Sequence, residues 1–564
     1  MRIRVNHLGY ERRGPKRALV EGAPEGARVA IAPASDAGVH RRWRLPEASA
    51  TPGWSVRAAS EVRFDDWQEP GEWSLVLEDS QGRVLSRSAV FSVTDGLLRR
   101  RTVSDVVFGL KSQRCSGRFE RADADVPVVG SEDRRVDARG GWYDASGDVS
   151  KYLSHLSYAN YFNPQQTPLA VWTLLLSAER LDGRGEPAAR LGERMREEAC
   201  HGADFLVRMR APEGPFYMTL FDRWSKDVGE RALCAYAGPD GRKTDAWQAG
   251  FRQGGGMAVA ALAAASRLAG GGAFAADDYL HAARCAYDDL LAHNRAYLDD
   301  GEENLLDEYC ALIAADELYR TTENAWYAEQ ATAWAERVLG RAVAGEAFFW
   351  QADRSGRRPF FHACDAGMPA IALLRAADAS ASDQAARLRS VALAAVDDEL
   401  ARTAEVANPY RYPRQAVKAV NATVETRFFI PHDNETGYWW QGENARLASL
   451  AAMALLAGER TDGEQALAYR QYAGACLDWV LGLNPFDVCM LHGHGRHNVA
   501  YLDAFPNYPG GICNGVTAGV VDEDDIVFAP EPYGSDAAWN WRWTEQWLPH
   551  AAWYLLAAVL AEVA

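Results

Sequence analysis

The feature that most constrains this fold is a change in the hydrophobic period of the sequence near residue 100. Before it, apolar and polar side chains alternate, as Trp73, Leu75 and Leu77 do with the residues between them. Turn sequences such as Pro52-Gly53 and Pro70-Gly71 interrupt these runs. Because successive side chains of a strand point to opposite faces, the pattern indicates short antiparallel strands. It predicts a small all-β sandwich over residues 1–95.

After about residue 100 the chain changes to long Ala- and Leu-rich segments with helical spacing. Thr167 and Pro168 begin one of them, as N-cap and first helical residue. Segments such as Met257 to Ala265 are apolar on most faces, so they belong to an inner layer. The other helices are predicted over 188–209, 254–269, 276–293, 306–320, 323–339, 367–377, 384–403, 443–457, 463–481 and 549–563.

These segments define the second domain. The chain has 564 residues, which is more than one ordinary domain contains. We predict an all-α domain over residues 96–564, a toroid of eleven or twelve paired helices. The unusual Trp, His, Asn and Asp residues lie in the connecting loops, which predicts a site built from loops at one end of the toroid.

Charge and cysteine content exclude several classes of function. The net charge is −17 and the pI is about 5.3, whereas nucleic-acid binding needs a basic surface. The nine cysteines are scattered with no CxxC pair, which indicates reduced thiols in a reducing compartment. Met1 is followed at once by strand-like sequence, and no apolar run approaches a membrane span. We therefore expect a cytoplasmic protein with neither a nucleic acid nor a membrane as partner.

Carboxylates among glycines and aromatic residues mark the candidate active site. Asp144 and Asp148 lie in Gly-Gly-Trp-Tyr-Asp-Ala-Ser-Gly-Asp over 140–148, and Glu545 lies in the Trp-rich segment 541–547. Inverting glycoside hydrolysis needs one ionised carboxylate to activate water and one protonated carboxyl to release the leaving group. Asp148 is our candidate base, Asp144 would hold the same water or orient the base, and Glu545 is the candidate acid. The alternative is a solvated turn and a glutamate in a first helical turn.

Several segments together resemble glycoside hydrolase family 9. They are residues 140–151, Leu481-Gly482-Leu483-Asn484-Pro485, the His/Arg stretch 492–497, Glu545 just before the last helix, and Val5-Asn6-His7-Leu8-Gly9-Tyr10. The last of these is similar to the start of the immunoglobulin-like domain that often precedes the family's barrel. The resemblance implies an immunoglobulin-like sandwich, an (α/α)6 barrel and an inverting mechanism.

One residue departs from the commoner pattern of that family. Its cellulases carry Asp-Ala-Gly-Asp, whereas this chain has the additional Ser146. The stretches 141–168, 429–435 and 438–444 resemble a subgroup that includes bacterial exo-β-D-glucosaminidases. The resemblance implies an enzyme that releases glucosamine from the non-reducing end of chitosan oligosaccharides in the cytoplasm.

A further group of residues is expected to bind the oligosaccharide. His492, His494 and Arg496 would hydrogen-bond sugar hydroxyls, although a metal site is an alternative whose spacing matches no standard zinc signature. The other expected contacts lie beside the acids or in a second cluster of acids and aromatics: Tyr143, Trp439, Trp440, Glu443 and Trp541. A tryptophan of that cluster would stack on a sugar, and a carboxylate there would pair with a substrate ammonium. No cofactor and no metal are expected, and the oligomeric state is left open.

Other functions are weighed against this interpretation. Within the same chemistry, the alternative is a β-glucosidase, cellobiase or endoglucanase acting on β-1,4-glucan. A helical-barrel sugar epimerase or lyase would also be rich in Trp and His, but it would not depend on Asp148. A non-catalytic carbohydrate-binding protein would keep its affinity without Glu545.

Overall fold

A computed structural model describes residues 1–35, 38–268, 270–343, 349–356, 358–503 and 505–562. Two predicted helix ends, Ala269 and Val563, lie outside these residues.

The N-terminal region is β-rich, as predicted. Its strands are β1 Arg2–Arg4, β2 Gly9–Glu11, β3 Arg17–Glu21, β4 Arg28–Pro33, β5 Arg41–Arg44, β6 Ala59–Arg63, β7 Gly71–Glu78, β8 Val84–Arg87 and β9 Phe91–Thr94. One sheet has the order β1-β3-β6; the other has the order β2-β9-β7-β4-β5, with β8 paired to β7. Val20 of the first sheet and Ile31 and Leu75 of the second share one buried core. Leu19 faces the other way, into the core of the helical region.

Helices dominate the rest of the described chain. They are α1 Ser104–Ser112, α2 Gly117–Ala122, α3 Thr167–Leu181, α4 Glu186–Arg208, α5 Gly256–Ala265, α6 Ala276–Tyr297, α7 Leu305–Thr322, α8 Ala325–Leu339, α9 Met368–Asp378, α10 Ser382–Ala404, α11 Asn444–Gly458, α12 Gly463–Val480, α13 Trp541–Thr544 and α14 Leu548–Leu560. Every predicted helix is present within a few residues. Helix α3 differs in detail, because Thr167 is already helical, Gln166 holds the N-cap position, and the Thr167 hydroxyl caps nothing.

The long helices form two layers. Helices α3, α5, α7, α9, α11 and α14 contact one another in that order, and α14 contacts α3, so the inner layer closes on itself. Helices α4, α6, α8, α10, α12 and α1 form the outer layer, and they pack chiefly on α3, α5, α7, α9, α11 and α14, respectively. All residues of α5 are buried, as expected for a helix with apolar residues on every face.

Short strands occupy the loops between the helices. They are β10 Val126–Pro127, β11 Arg135–Val136, β12 Lys151–Tyr152, β13 Phe216–Tyr217, β14 Thr219–Phe221, β15 Ala232–Ala237, β16 Arg242–Thr244, β17 Gln248–Ala249, β18 Ala342–Val343, β19 Phe349–Trp350, β20 Gln415–Val417, β21 Glu425–Arg427, β22 Thr517–Ala518 and β23 Ile526–Val527. Strands β12, β14, β15 and β16 form one sheet, in which Lys151 pairs with Leu220 and Tyr152 with Thr219. This pairing brings the chain around 150 next to the chain around 222.

The segment after β1 joins the β-rich region to the helices. The Asn6 side-chain amide donates to Asp478 at 2.8 Å, and the His7 ring lies 3.0 Å from Asp487. Gly482 has a φ of +101°, and a Cβ atom there would lie 2.3 Å from the His7 ring. Within the segment 481–485, Leu481 and Gly482 therefore make the contact with His7. Over the described residues, no helix has the length and apolar character needed to cross a membrane.

Candidate active site

A cavity of about 500 Å³ lies among the loops, and it contains all three candidate catalytic carboxyls. Its lining residues are Asp144, Gly147, Asp148, His155, Trp224, Lys226, Pro239, Tyr438, Trp439, Phe505, Ala537, Ala538, Trp541, Arg542 and Glu545. The site is built from loops, as the placement of the unusual residues predicted.

A tight loop presents the two aspartates to the cavity. Ala145 and Asp148 exchange backbone hydrogen bonds of 3.3 and 3.2 Å, and the Asp144 N–H donates to the Ser150 carbonyl at 3.0 Å. Gly141, which precedes the loop, has a φ of +71°, and a Cβ atom there would lie 2.8 Å from the Phe205 ring. Glycine is therefore needed where the chain turns into the site.

The additional Ser146 ties this loop to the chain around Glu545. Its N–H donates to the Gln546 carbonyl at 2.8 Å, and its Oγ accepts the Gln546 N–H at 3.0 Å. The next N–H, of Gly147, donates to Glu545 Oε1 at 3.0 Å. The loop carrying the aspartates thus holds the glutamate directly, although almost 400 residues separate them.

The two aspartates have different surroundings. Asp148, which is 6% exposed, accepts the Ser150 N–H and the Tyr152 hydroxyl, both at 2.8 Å. From the described residues, Asp144, which is 4% exposed, accepts one hydrogen bond, donated by the Trp547 indole at 3.1 Å. Burial and the neighbouring carboxyls raise the pKa of both, and the two donors at Asp148 offset part of the rise. Asp148 is accordingly the more readily ionised of the two aspartates.

Glu545 is suited to hold a proton. The residue is half-buried by accessible surface, and its side chain lines the cavity. Burial, followed by repulsion from Asp148, raises its pKa to about 8, although the Gly147 N–H opposes the rise. At neutral pH this group is mostly protonated, as a general acid must be.

Asp144, Asp148 and His155 each have a potential ligand atom within 4.8 Å of the others, which is close enough for the three to share a metal ion. The Leu156 N–H donates to His155 Nδ1 at 2.9 Å, so the hydrogen of this neutral ring is on Nε2. Burial lowers the pKa of His155 to about 3, so the ring stays neutral. The Nε2–H group faces Asp144 Oδ2 at 3.7 Å. The donor set therefore fits hydrogen bonding, because Nε2 offers no lone pair to a metal.

Only some of the predicted sugar contacts reach the cavity. Trp439 and Trp541 line it. Trp440 is stacked behind it on His432, with ring centroids 3.6 Å apart. The Tyr143 hydroxyl accepts the Ser116 N–H at 3.1 Å and does not line the cavity.

The carboxylate of Glu443 is buried, and its partners are other residues of the protein. It pairs with Arg446 at 2.6 Å, both side chains are nearly fully buried, and its other oxygen accepts the Ile430 N–H at 2.9 Å. A substrate ammonium cannot reach it without breaking this pair. Its sequence position among aromatic residues reflects packing around α11.

The His/Arg segment is also engaged elsewhere. His494 pairs with Asp105 at 2.9 Å, and Arg496 pairs with Asp487 at 2.7 Å beside the β-rich region. His492 has a buried Nδ1 without a partner among the described residues, and burial lowers its pKa. None of the three lines the cavity.

Several site residues were not predicted from the sequence. They are Tyr152, His155, Trp224, Tyr438, Phe505, Arg542 and Trp547. Tyr152 and His155 follow the aspartate motif at once, so proximity in the sequence was an available signal. Trp224 reaches the site through the pairing of β12 with β14, which no local pattern reveals.

Comparisons with known proteins identify the class of protein to which this chain belongs. Residues 102–503 match the sequence profile of Glycosyl hydrolase family 9. The chain therefore belongs to this family and is a glycoside hydrolase. Glu545 lies beyond the matched residues. No curated protein matches the chain.

Solved structures support the same fold. A metagenome-derived glycoside hydrolase family 9 endoglucanase shares 19% identity, with a TM-score of 0.69 and coverage of 100% of this chain and 99% of the other. A Bacteroides ovatus GH9 protein shares 18% identity, with a TM-score of 0.66 and coverage of 99% and 98%. The GH family 9 endoglucanase J30 shares 19% identity, with a TM-score of 0.66 and coverage of 98% and 100%. At these identities the likeness shows the fold alone.

Proposed function

We propose that the protein hydrolyses β-1,4-linked oligosaccharides with inversion of the anomeric centre. The observation that carries this proposal is the meeting of Asp144, Asp148 and Glu545 at one cavity, with Gly147 bonded to the acid. The closed helical ring is, in this proposal, an (α/α)6 barrel over 96–564, and residues 1–95 form an immunoglobulin-like domain. All nine cysteines are free thiols, which supports a cytoplasmic location.

Each carboxyl has a separate role in this mechanism. Asp148 takes a proton from a water held between itself and Asp144, and the water oxygen bonds to the anomeric carbon. Glu545 gives its proton to the glycosidic oxygen as the bond from that oxygen to the anomeric carbon breaks. The carboxyls of an inverting pair stand ~6.5–9.5 Å apart to admit the water. Proton exchange with solvent restores both groups.

The aromatic wall supports a sugar substrate. Trp439, Trp541 and Trp224 all contribute to the cavity surface. Indole faces bury the apolar C–H faces of sugar rings, while the carboxyls bind hydroxyls. Endoglucanases are among the structural neighbours. We therefore infer β-1,4-glucan oligosaccharides as the leading substrate class.

A second candidate is exo-β-D-glucosaminidase activity on chitosan oligosaccharides. The observation in its favour is Asp144, which lines the cavity and accepts only the Trp547 indole hydrogen bond, at Oδ1, from the described residues. A carboxylate oxygen in this position suits a substrate ammonium. In this alternative, the substrate ammonium is bound by Asp144 and not by Glu443.

The test compares hydrolysis of cellobiose, cellotriose, diglucosamine and diacetylchitobiose, with the product anomer followed by NMR. Release of the α-anomer from the cello-oligosaccharides supports the leading candidate. Release of α-glucosamine from diglucosamine alone supports the second candidate. The β-anomer as first product would refute inversion. Asp148→Asn is the matched variant, because turnover retained by it would point to other chemistry, such as epimerisation.

A further inference from the structure

Asp222 is a buried aspartate behind the loop 144–148, and it is not among the residues that line the cavity. It is fully buried and follows β14 directly. The register of β12 with β14 pairs Lys151 with Leu220, so Asp222 is held beside the chain that leaves the catalytic loop. No part of the mechanism above uses it.

Hydrogen bonds connect Asp222 to Asp148 through one residue. The Ser150 hydroxyl donates to Asp222 Oδ1 at 3.0 Å, while the Ser150 N–H donates to Asp148 Oδ1 at 2.8 Å. Ser150 is itself fully buried. A displacement of Asp222 would therefore displace the residue that orients the base.

The same carboxylate anchors part of the cavity wall. Asp222 Oδ1 accepts the Trp224 N–H and Oδ2 accepts the Lys226 N–H, each at 3.0 Å. Arg223, Trp224 and Lys226 have φ values of +59°, +58° and +57°. The left-handed region is unfavourable for such residues, so the surrounding bonds must maintain this turn. Trp224 and Lys226 both line the cavity.

We propose that Asp222 is a positioning residue for the hydrolysis: through Ser150 it fixes Asp148, and through the turn at 222–226 it fixes Trp224 in the cavity wall. The Ser150 hydroxyl and the N–H groups of Trp224 and Lys226 all donate to its side chain, which therefore acts as an acceptor from both sides. This inference rests on the proposed role of Asp148 as base.

The charge on Asp222 acts on Asp148 by repulsion. After burial, Asp222 is the main cause that raises the pKa of Asp148. Other titratable or charged groups facing Asp148 and Asp222 from the packed elements are Asp144, Tyr152, His155, Lys226, Arg231, Tyr438 and Glu545. Removing the Asp222 charge lowers the pKa of Asp148. The base then stays ionised at lower pH, so the acidic limb of the activity profile moves to lower pH.

The experiment measures kcat/KM against pH for Asp222→Asn, Ser150→Ala and Asp227→Asn, on whichever of the four oligosaccharides named above the wild type cleaves. For Asp222→Asn we expect the acidic limb to move down by about 1 pH unit and kcat at the optimum to fall about 10-fold. Ser150→Ala removes the hydrogen bond to Asp222 but keeps the Asp222 carboxylate. We therefore expect kcat to fall, while the acidic limb moves less than in Asp222→Asn. Asp227→Asn is the matched control, because Asp227 also caps a turn through the Gly229 N–H but is exposed.

The inference is overturned if folded Asp222→Asn has an acidic limb at the same pH as the wild type. It is also overturned if that limb moves to higher pH. If Asp222→Asn does not fold, wild-type kcat in Ser150→Ala overturns it instead. Asp148→Asn is measured in parallel to separate the two proposals. Turnover by Asp148→Asn would remove the proposed function and this inference together. If Asp148→Asn loses turnover but Asp222→Asn keeps the acidic limb of the wild-type pH profile, only the inference about Asp222 is refuted, and the proposed function stands.

Discussion

Replacing Glu545 by glutamine tests the acid half of the mechanism. At pH 7 a group with a pKa of about 8 is about 90% protonated, whereas a glutamate at its ordinary pKa is protonated in about one molecule in 300. General acid catalysis contributes about 10²- to 10⁴-fold to the rate. Glutamine fills the same space but gives no proton, so we expect kcat on an unactivated oligosaccharide to fall about 10³-fold.

The assay separates loss of the proton from general damage. A 2,4-dinitrophenyl glycoside of the same sugar has a leaving group that needs little protonation, so Glu545→Gln should cleave it at a rate much closer to that of the wild type. Glu531→Gln is the matched control, because it makes the same change at an exposed position near the site.

The pH profile gives a second measure of the same group. Burial raises the pKa of Glu545, and the protonated form is the active one, so wild-type activity should fall as the pH rises through about 8. In Glu545→Gln that alkaline limb should disappear. Equal losses on both leaving groups, or an alkaline limb that survives the substitution, would refute the assignment of Glu545 as the acid.

Three further predictions concern residues around the site. Gly147→Ala would add a Cβ atom 2.2 Å from the Phe505 ring, so we expect kcat to fall at least 10-fold while circular dichroism shows a folded protein; a wild-type rate would contradict the tight loop. Glu443→Ala leaves Arg446 buried and unpaired, so urea denaturation should show a loss of about 3 kcal/mol; unchanged stability together with altered substrate preference would restore Glu443 to the sugar site. His494→Ala should leave KM within about two-fold of the wild type, because the cavity does not include it; a KM raised 10-fold would contradict this.

The fold was largely predictable because periodicity is a local property of the chain. Alternation before residue 95 and helical spacing after it predicted a β-rich region followed by paired helices, and both are observed. The closure of the inner ring is not local, since it depends on α14 meeting α3 across most of the chain. The division at residues 95 and 96 stays a prediction.

The carboxyls were predictable for a different reason. Asp144 and Asp148 lie among glycines, which indicate a tight turn, and Glu545 lies among tryptophans. The unusual environment of each carboxyl is therefore indicated by the residues next to it in the sequence. The residues that support the carboxyls have no such neighbours. Ser150 and Asp222 meet through strand pairing, and neither has a distinctive neighbourhood in the sequence.

The His/Arg segment shows how a motif can mislead about a contact. His492, His494 and Arg496 have the side chains that bind sugars, but two of them are paired with carboxylates of the protein. One of those carboxylates, Asp487, also contacts His7 of the β-rich region. The segment therefore stabilises the contact between that region and the helices, which no pattern within residues 492–496 reveals.

Ser146 connects the local and the distant parts of the site. A chain with the shorter Asp-Ala-Gly-Asp motif would lack the residue whose N–H and hydroxyl both bond Gln546. Those two bonds set the position of the Gly147 N–H against Glu545, and thereby connect the geometry of the loop that carries Asp148 to that of Glu545. The additional residue can therefore change the placement of Asp148 relative to Glu545 without changing either side chain, because it bonds the chain on both sides of that contact.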